Sequence, residues 1–274
     1  MFRRFFSRFG LLAALALPLG FAASSCTDKD GNPLLFSLED DIALGDQVAA
    51  ETDSTYRAQG KLVERASNAR AYQLLDAVVN RVLNSSDIQH RNDFAWDVKI
   101  IKEDSTQNAF ATPGGHIYVF TGLIKYLDDE SQLAGVLGHE IAHADRRHTS
   151  RQLQNQYGIQ LLLSVALGNS ESTAAQIASG LAGLGSLKFS RDFENEADQY
   201  SVIYLNGPGY YACDGAAGFF IKAQSQGQAS PPEFLSTHPN PDNRIQAIQT
   251  KATELNCRNR TVNSSDLREL QRLL

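Results

Sequence analysis

The sequence predicts an α+β fold that is mostly α, with a small mixed or antiparallel sheet set against one central helix. Three observations carry this. Ala71, Leu74, Leu75, Val78, Val79, Val82 and Leu83 recur at i, i+3, i+4, i+7 and i+8, the stripe of a helix facing a core. Period-two alternation is short: Phe94, Trp96, Val98 and Ile100 face one way, with Ala95, Asp97, Lys99 and Ile101 between them. Finally, 128–148 reads as one helix, DDESQLAGVLGHEIAHADRRH, capped by Asp128 or Asp129 and ending in the basic residues Arg146, Arg147 and His148.

The flanking elements follow in order. Residues 38–58 form a polar helix, and Asn84-Ser85-Ser86-Asp87 ends the striped helix after it. Residues 108–112 and 116–121 are short extended pieces around the turn Pro113-Gly114-Gly115. Residues 159–167 and 173–187 are apolar helices too short to span a bilayer; they are either packed core or an apolar flap that touches a membrane or an unfolded partner. Gly207-Pro208-Gly209 breaks a helix ending near Leu205, and another helix carries Cys213, Phe219, Phe220 and Ile221. A proline-rich loop over 225–243, a helix over 244–255 and a polar tail over 257–274 complete the chain. No internal repeat is present.

With 274 residues, 42% hydrophobic and 20% charged, the chain has the composition of a globular protein with a substantial core. The first 25 residues hold three arginines and no acid. The remaining 22 basic and 31 acidic residues leave the body at −9, with no basic block, which argues against nucleic acid as a partner. No glycine-rich phosphate loop follows any predicted strand.

Residues 1–25 read as an export signal: a basic, Phe-rich start, an apolar stretch over 10–23, then Ala22, Ala23, Ser24 and Ser25 before Cys26. Two cleavages are open. An ordinary signal peptidase would cut among the small residues; lipoprotein processing would cut before Cys26 and lipidate its sulfur, although Ala23 stands where a lipobox has Leu. Lipidation of Cys26 accounts for the odd cysteine and leaves Cys213 and Cys257 as a disulfide pair in an oxidising compartment. Residues 26–37 would then be a tether, and Thr27 after the cysteine suits outer-membrane sorting. The expected location is the periplasm of a Gram-negative bacterium, anchored to the outer membrane by lipid.

The chemistry concentrates on the central helix. His139 and His143, four apart, present both imidazoles to one metal ion, and Glu140 lies beside that ion, free to take a proton from an attacking water. A catalytic zinc needs a third protein ligand. Glu194 and Asp198, also four apart on a helix, supply a carboxylate ligand and an acceptor for the outer N–H of a ligating histidine. Glu196 falls on another face, as a solvated or salt-bridged residue; His90, His116 and His148 carry no assigned role.

Four motifs in order, NAFATPGGHIYVFTGLI from Asn108, QLAGVLGHEIAH from Gln132, SRDFENEAD from Ser190 and STHPNPDNRI from Ser236, resemble the HtpX-like and CAAX prenyl endopeptidase family of zinc metallopeptidases in its soluble periplasmic branch. The resemblance implies a zincin fold of the gluzincin type over 38–256. It implies one zinc ion held by His139, His143 and Glu194, with Glu140 as general base. It also implies that Asn108, Ala109, Phe110 and Ala111 form an edge strand along which an extended or unfolded polypeptide lies, and it suggests the outer-membrane assembly machinery as a partner. His238 and Arg244 match a His-Pro-x-x-x-x-Arg pattern. Either would stabilise the oxyanion in catalysis, or His238 would cap the metal and hold the enzyme latent. The chain lacks the membrane spans of the prenyl endopeptidases and the repeat domain of larger periplasmic members. The expected activity is hydrolysis of misfolded or misassembled envelope proteins, and the rival is a chaperone with a structural metal site.

Overall fold

The structure, a computed structural model, describes residues 36–184, 188–225, 234–238, 243–258, 260 and 262–274. The expected signal segment, most of the expected tether and Cys26 lie outside them. Helix α1 (Leu38–Ala58) opens with a capping box in which Ser37 Oγ accepts from Asp40 N and Asp40 accepts from Ser37 N. Helix α2 (Ala69–Leu83) follows the predicted stripe, and all seven stripe residues are buried.

Strands β1 (Val98–Ile101), β2 (Ala109–Ala111) and β3 (Ile117–Phe120) form one sheet in the order β1-β3-β2. It is mixed, since β1 runs parallel to β3 and β2 antiparallel to it. The alternation over 94–101 overstates β1: Trp96 adopts φ +46, which breaks extension before Val98, and its indole N–H donates to Arg91 O. Both faces of the sheet are covered, although period-two alternation with Asp97 and Lys99 suits a strand with one buried face. Val98, Ile100, Ala109, Ala111, Ile117 and Val119 pack with α2 and the central helix. Ile101, Phe110, Tyr118 and Phe120 pack with α1 and with three helices further on.

After the short α3 (Thr121–Tyr126), the central helix is α4 (Glu130–Asp145), with Asp129 Oδ1 accepting from Gln132 N at its start. The single helix expected over 128–148 is two. Arg147 takes a left-handed φ of +60, and a new helix, α5 (His148–Tyr157), begins after it. That conformation is held by long-range bonds: Arg147 donates to Asp41 Oδ2 and to the carbonyls of Phe36 and Ser37.

Helices α6 (Ile159–Ala166) and α7 (Glu171–Ser179) pack on α1 and bury Leu162, Val165 and Ile177, while Leu161 and Leu167 stay exposed; a π-helical turn (Gly180–Leu184) follows against β2. Helices α8 (Arg191–Asn206) and α9 (Gly215–Ser225) lie against α4. A short α10 (Phe234–Thr237) and α11 (Arg244–Glu254) follow. Cys213 and Cys257 are joined by a disulfide, their Cα atoms 5.6 Å apart. The tail expected after 257 contains α12 (Ser265–Leu273), which buries Leu267 and Leu270 against α2 and α3 while Glu269 pairs with Arg70; 36–274 is one unit. No helix among the described residues is long and apolar enough to cross a membrane.

Candidate metal centre

Every residue of α4 from Leu133 to Asp145 is buried, which puts a histidine pair in the middle of the protein rather than on a solvated face. Two glycines make this possible. A Cβ on Gly135 would run into the backbone of Ala216 in α9, and one on Gly138 would press on Leu205 and Ser201 of α8. The close α4–α8 approach brings Glu194 and Asp198 to the histidines.

The donor atoms converge. His139 Nε2 and His143 Nε2 are 3.0 Å apart. Glu194 Oε2 lies 3.4 Å from the first, and Glu194 Oε1 lies 3.4 Å from the second. His238 joins them, with Nδ1 at 3.0 Å from Glu194 Oε1 and 3.3 Å from His139 Nε2. One donor atom from each of these four buried residues lies within 4.8 Å of all the others. Glu140, beside them, has Oε1 3.5 Å from His238 Nε2. Glu194 Oε2, Glu140 Oε1 and His238 Nε2 are buried with no hydrogen-bond partner among the described residues, a cost that a bound ion would relieve. Converging imidazole and carboxylate donors with unpaired atoms fit a metal ion.

Charge is managed around this point. Burial alone would raise the Glu194 carboxyl, but His238, Arg244 and hydrogen bonds from His139 and His143 hold it well below the usual range, so it is ionised. Burial pushes His143 far down, keeping it neutral, and pushes the Glu140 carboxyl up. For His139 burial acts downward, yet Asp198 and Glu194 outweigh it and push the ring up to about 9.

Asp198 Oδ1 sits 2.9 Å from His139 Nδ1, on the outer side of the ring. Arg244 is fully buried and locked onto the same carboxylates. Its Nε donates to Asp198 Oδ2 at 2.6 Å, and its Nη2 donates to Asp198 Oδ1 at 2.8 Å and lies 3.0 Å from Glu194 Oε2; Nη1 has no hydrogen-bond partner among the described residues. His238 is stacked between Phe234 and Phe189, with centroids 4.2 and 5.3 Å away.

The candidate edge strand is an edge in topology, since β2 ends the sheet order, but Asn108, Ala109, Phe110 and Ala111 are all at most 2% exposed. Neighbours take up its polar groups. Asn108 Nδ2 donates to Ala182 O, Thr149 Oγ1 donates to Ala111 O, and Phe234 N donates to Gln107 O just before the strand. His148, given no role by sequence reasoning, is fully buried with Nδ1 3.2 Å from His143 Nδ1. Only its place five residues after His143 could have signalled this, and the helix break between them hides it.

Comparison with known proteins agrees with this geometry. The beta-barrel assembly-enhancing protease of Yersinia pestis is 34% identical over 160 residues, which is 54% of this chain and 33% of that protein. Its namesake in Escherichia coli (strain K12) is 32% identical over the same shares. The mitochondrial metalloendopeptidase OMA1 of Danio rerio is 32% identical over 215 residues, covering 70% of this chain and 44% of that protein. The chain thus spans about a third of the length of the two bacterial relatives. HtpX and the prenyl endopeptidases, which the four motifs resemble, form a sibling branch of these proteins. Residues 69–252, most of the helical body and the whole donor cluster, match the profile of Peptidase family M48, and the chain belongs to that family.

Proposed function

We propose that this chain is a zinc-dependent endopeptidase that hydrolyses peptide bonds in unfolded or misassembled proteins of the bacterial envelope. The observation carrying this reading is the convergence of His139, His143 and Glu194 on one point with the Glu140 carboxyl buried beside it. His139, His143 and Glu194 are the ligands in this reading. A two-histidine, one-carboxylate set suits zinc and leaves a position for water or substrate. Zinc held there supplies a Lewis acid that polarises the scissile carbonyl and makes a water easier to deprotonate.

The chain's own residues do the rest. Glu140, its basicity raised by burial, takes the proton of the attacking water and delivers it to the leaving amine. Asp198 fixes His139 by accepting from its outer N–H, and Arg244 holds Asp198 and Glu194 in place. Arg244 therefore positions the ligands; its Nη1 is the one guanidinium nitrogen left to reach a substrate oxygen. The β2 edge offers an extended polypeptide backbone partners once its cover moves. The outer membrane and its assembly machinery, and a lipid on Cys26, are the setting that the relatives' names and the N-terminal sequence support.

A second reading is favoured by His238. Its ring fills the fourth place of the donor cluster, and a four-donor cage has no open position. In this form the site is latent, and the alternative is a chaperone whose metal is structural.

One experiment separates them. The purified chain is assayed for bound zinc and for cleavage of a denatured outer-membrane protein, with and without chelator, beside Glu140→Gln. The protease reading expects one zinc per chain, chelator-sensitive cleavage, and a loss of roughly 10²–10⁴-fold in Glu140→Gln with zinc retained. Cleavage by Glu140→Gln at the wild-type rate would remove the assigned base. Full complementation of a deletion strain by Glu140→Gln would favour the chaperone.

A further inference from the structure

Each of the two metal-facing histidines has an outer nitrogen that must also be satisfied. For His139 that partner is the carboxylate of Asp198. For His143 it is another imidazole: His143 Nδ1 and His148 Nδ1 are 3.2 Å apart. Beyond it, His148 Nε2 lies 3.4 Å from Glu196 Oε2, and Glu196 Oε1 accepts from Arg146 Nε at 3.1 Å. Arg146 rests over the Tyr200 ring, 4.4 Å from its centroid.

Two facing imidazole nitrogens can share only one proton, so one donates and the other accepts. A ligand at Nε2 must present that lone pair to the ion, so a neutral His143 carries its proton on Nδ1 and donates it to His148 Nδ1. His148 then carries its own proton on Nε2, the nitrogen that faces the Glu196 carboxylate. The reverse order would aim the His143 proton at His139 and Glu194 and turn a His148 lone pair toward Glu196. Only this order turns an N–H toward an acceptor at both junctions, the outer one a 3.4 Å ion-pair contact with Glu196.

We infer that His148, backed by Glu196 and Arg146, is a positioning residue for His143, with the part for this ligand that Asp198 has for His139. The inference rests on the reading of His143 as a metal ligand. The fold invests in the arrangement. The left-handed turn at Arg147 puts His148 at the start of α5 rather than one turn further along α4, and Phe193 stacks on its ring with centroids 4.6 Å apart and planes 11° off parallel. The acceptor is an imidazole, with the carboxylate one residue further out. This gives His143 orientation with less direct negative charge than His139 receives.

Two substitutions with opposite strengths test it on the full chain. His148→Phe keeps the ring and its stack on Phe193 but removes the acceptor. His148→Asn loses the stack but places a carbonyl oxygen where Nδ1 stood. Zinc affinity is measured by competition with a fluorescent chelator, the visible spectrum of the Co²⁺ form reports ligand geometry, and melting in EDTA reports folding. The expected result is zinc binding weakened roughly 10–100-fold in His148→Phe with an altered Co²⁺ spectrum, and within about threefold of wild type in His148→Asn. A packing role gives the reverse order. Wild-type affinity in His148→Phe, or weaker binding by His148→Asn than by His148→Phe, overturns the inference. If His148→Phe does not fold, Glu196→Gln decides: a several-fold loss of zinc affinity supports the relay, and unchanged affinity overturns it. A wild-type chain that binds no zinc overturns the metal centre itself, a failure the wild-type control distinguishes from the others.

Discussion

Arg244 Nε donates to Asp198 Oδ2 at 2.6 Å, in a place where neither side chain is more than 3% exposed. The guanidinium also reaches Glu194, so one fork ties the carboxylate that orients His139 to the carboxylate in the donor cluster. Removing one partner of such a buried pair strands the other's charge, at a cost of about 3–5 kcal/mol. Arg244→Met is therefore expected to lower unfolding free energy by about that amount and to weaken zinc binding. Arg244→Lys should fall between, because an ammonium cannot bridge both carboxylates in one plane. Urea denaturation and chelator competition measure the two effects. Loss of stability with unchanged metal affinity would detach Arg244 from the site.

His238 should behave differently from the other three donors. Its ring touches the cluster through Nδ1 but is carried by the end of α10, which is pinned by Phe234 N to Gln107 O and by Phe189 N to Thr237 O. His238→Ala leaves His139, His143 and Glu194 in place. The expected outcome is retained zinc and faster cleavage of denatured protein than wild type. Retained zinc with slower cleavage would assign His238 to oxyanion stabilisation.

Local periodicity made part of this legible in the sequence. The α2 stripe, the His139–His143 pair and the Glu194–Asp198 pair are each set by spacing within one helix, and each sits in the structure where that spacing puts it. Features fixed by distant partners were not legible. The break at Arg147 depends on bonds to Asp41 and the carbonyls of Phe36 and Ser37, and it is this break that buries His148 against His143. The parallel pairing of β1 with β3 and the cover over β2 depend on packing across the chain in the same way. Helix α12 is a different case. Leu267, Leu270 and Leu274 stand at helical spacing, a signal masked by the polar residues around them.

Gly135 offers a test of how the site is positioned. A Cβ there would collide with backbone atoms of Gly215 and Ala216, which no side-chain rotation relieves. Gly135→Ala has to push α9 away from α4, and overpacking of this kind costs about 1–3 kcal/mol or more. At roughly 2–4 °C per kcal/mol for a domain of this size, the melting temperature should fall by about 3–10 °C. Gly218→Ala is the control: the nearest atoms to its Cβ would belong to the Gln132 side chain, which can shift where backbone cannot, and the expected loss is smaller. Equal losses in the two variants would mean that the α4–α9 approach is not what the glycine protects.

The Cys213–Cys257 bridge bears on stability rather than on chemistry. It joins the chain just before α9 to the chain just after α11, across 44 residues that include His238 and Arg244. Closing a loop of that length stabilises the fold by about 4 kcal/mol through the unfolded chain's entropy. Both cysteines are fully buried, so removing their sulfurs in the double variant Cys213→Ala/Cys257→Ala leaves small apolar gaps rather than unpaired polar groups. Its melting temperature should drop by about 8–16 °C. Zinc affinity should change far less, because the proposed ligands His139, His143 and Glu194 lie outside the closed loop. Reduction of the wild-type chain should reproduce the shift, and it should need mild denaturant to expose the bridge. Loss of zinc in step with loss of the disulfide, at a temperature where the double variant is still folded by circular dichroism, would show that the bridge holds the site itself.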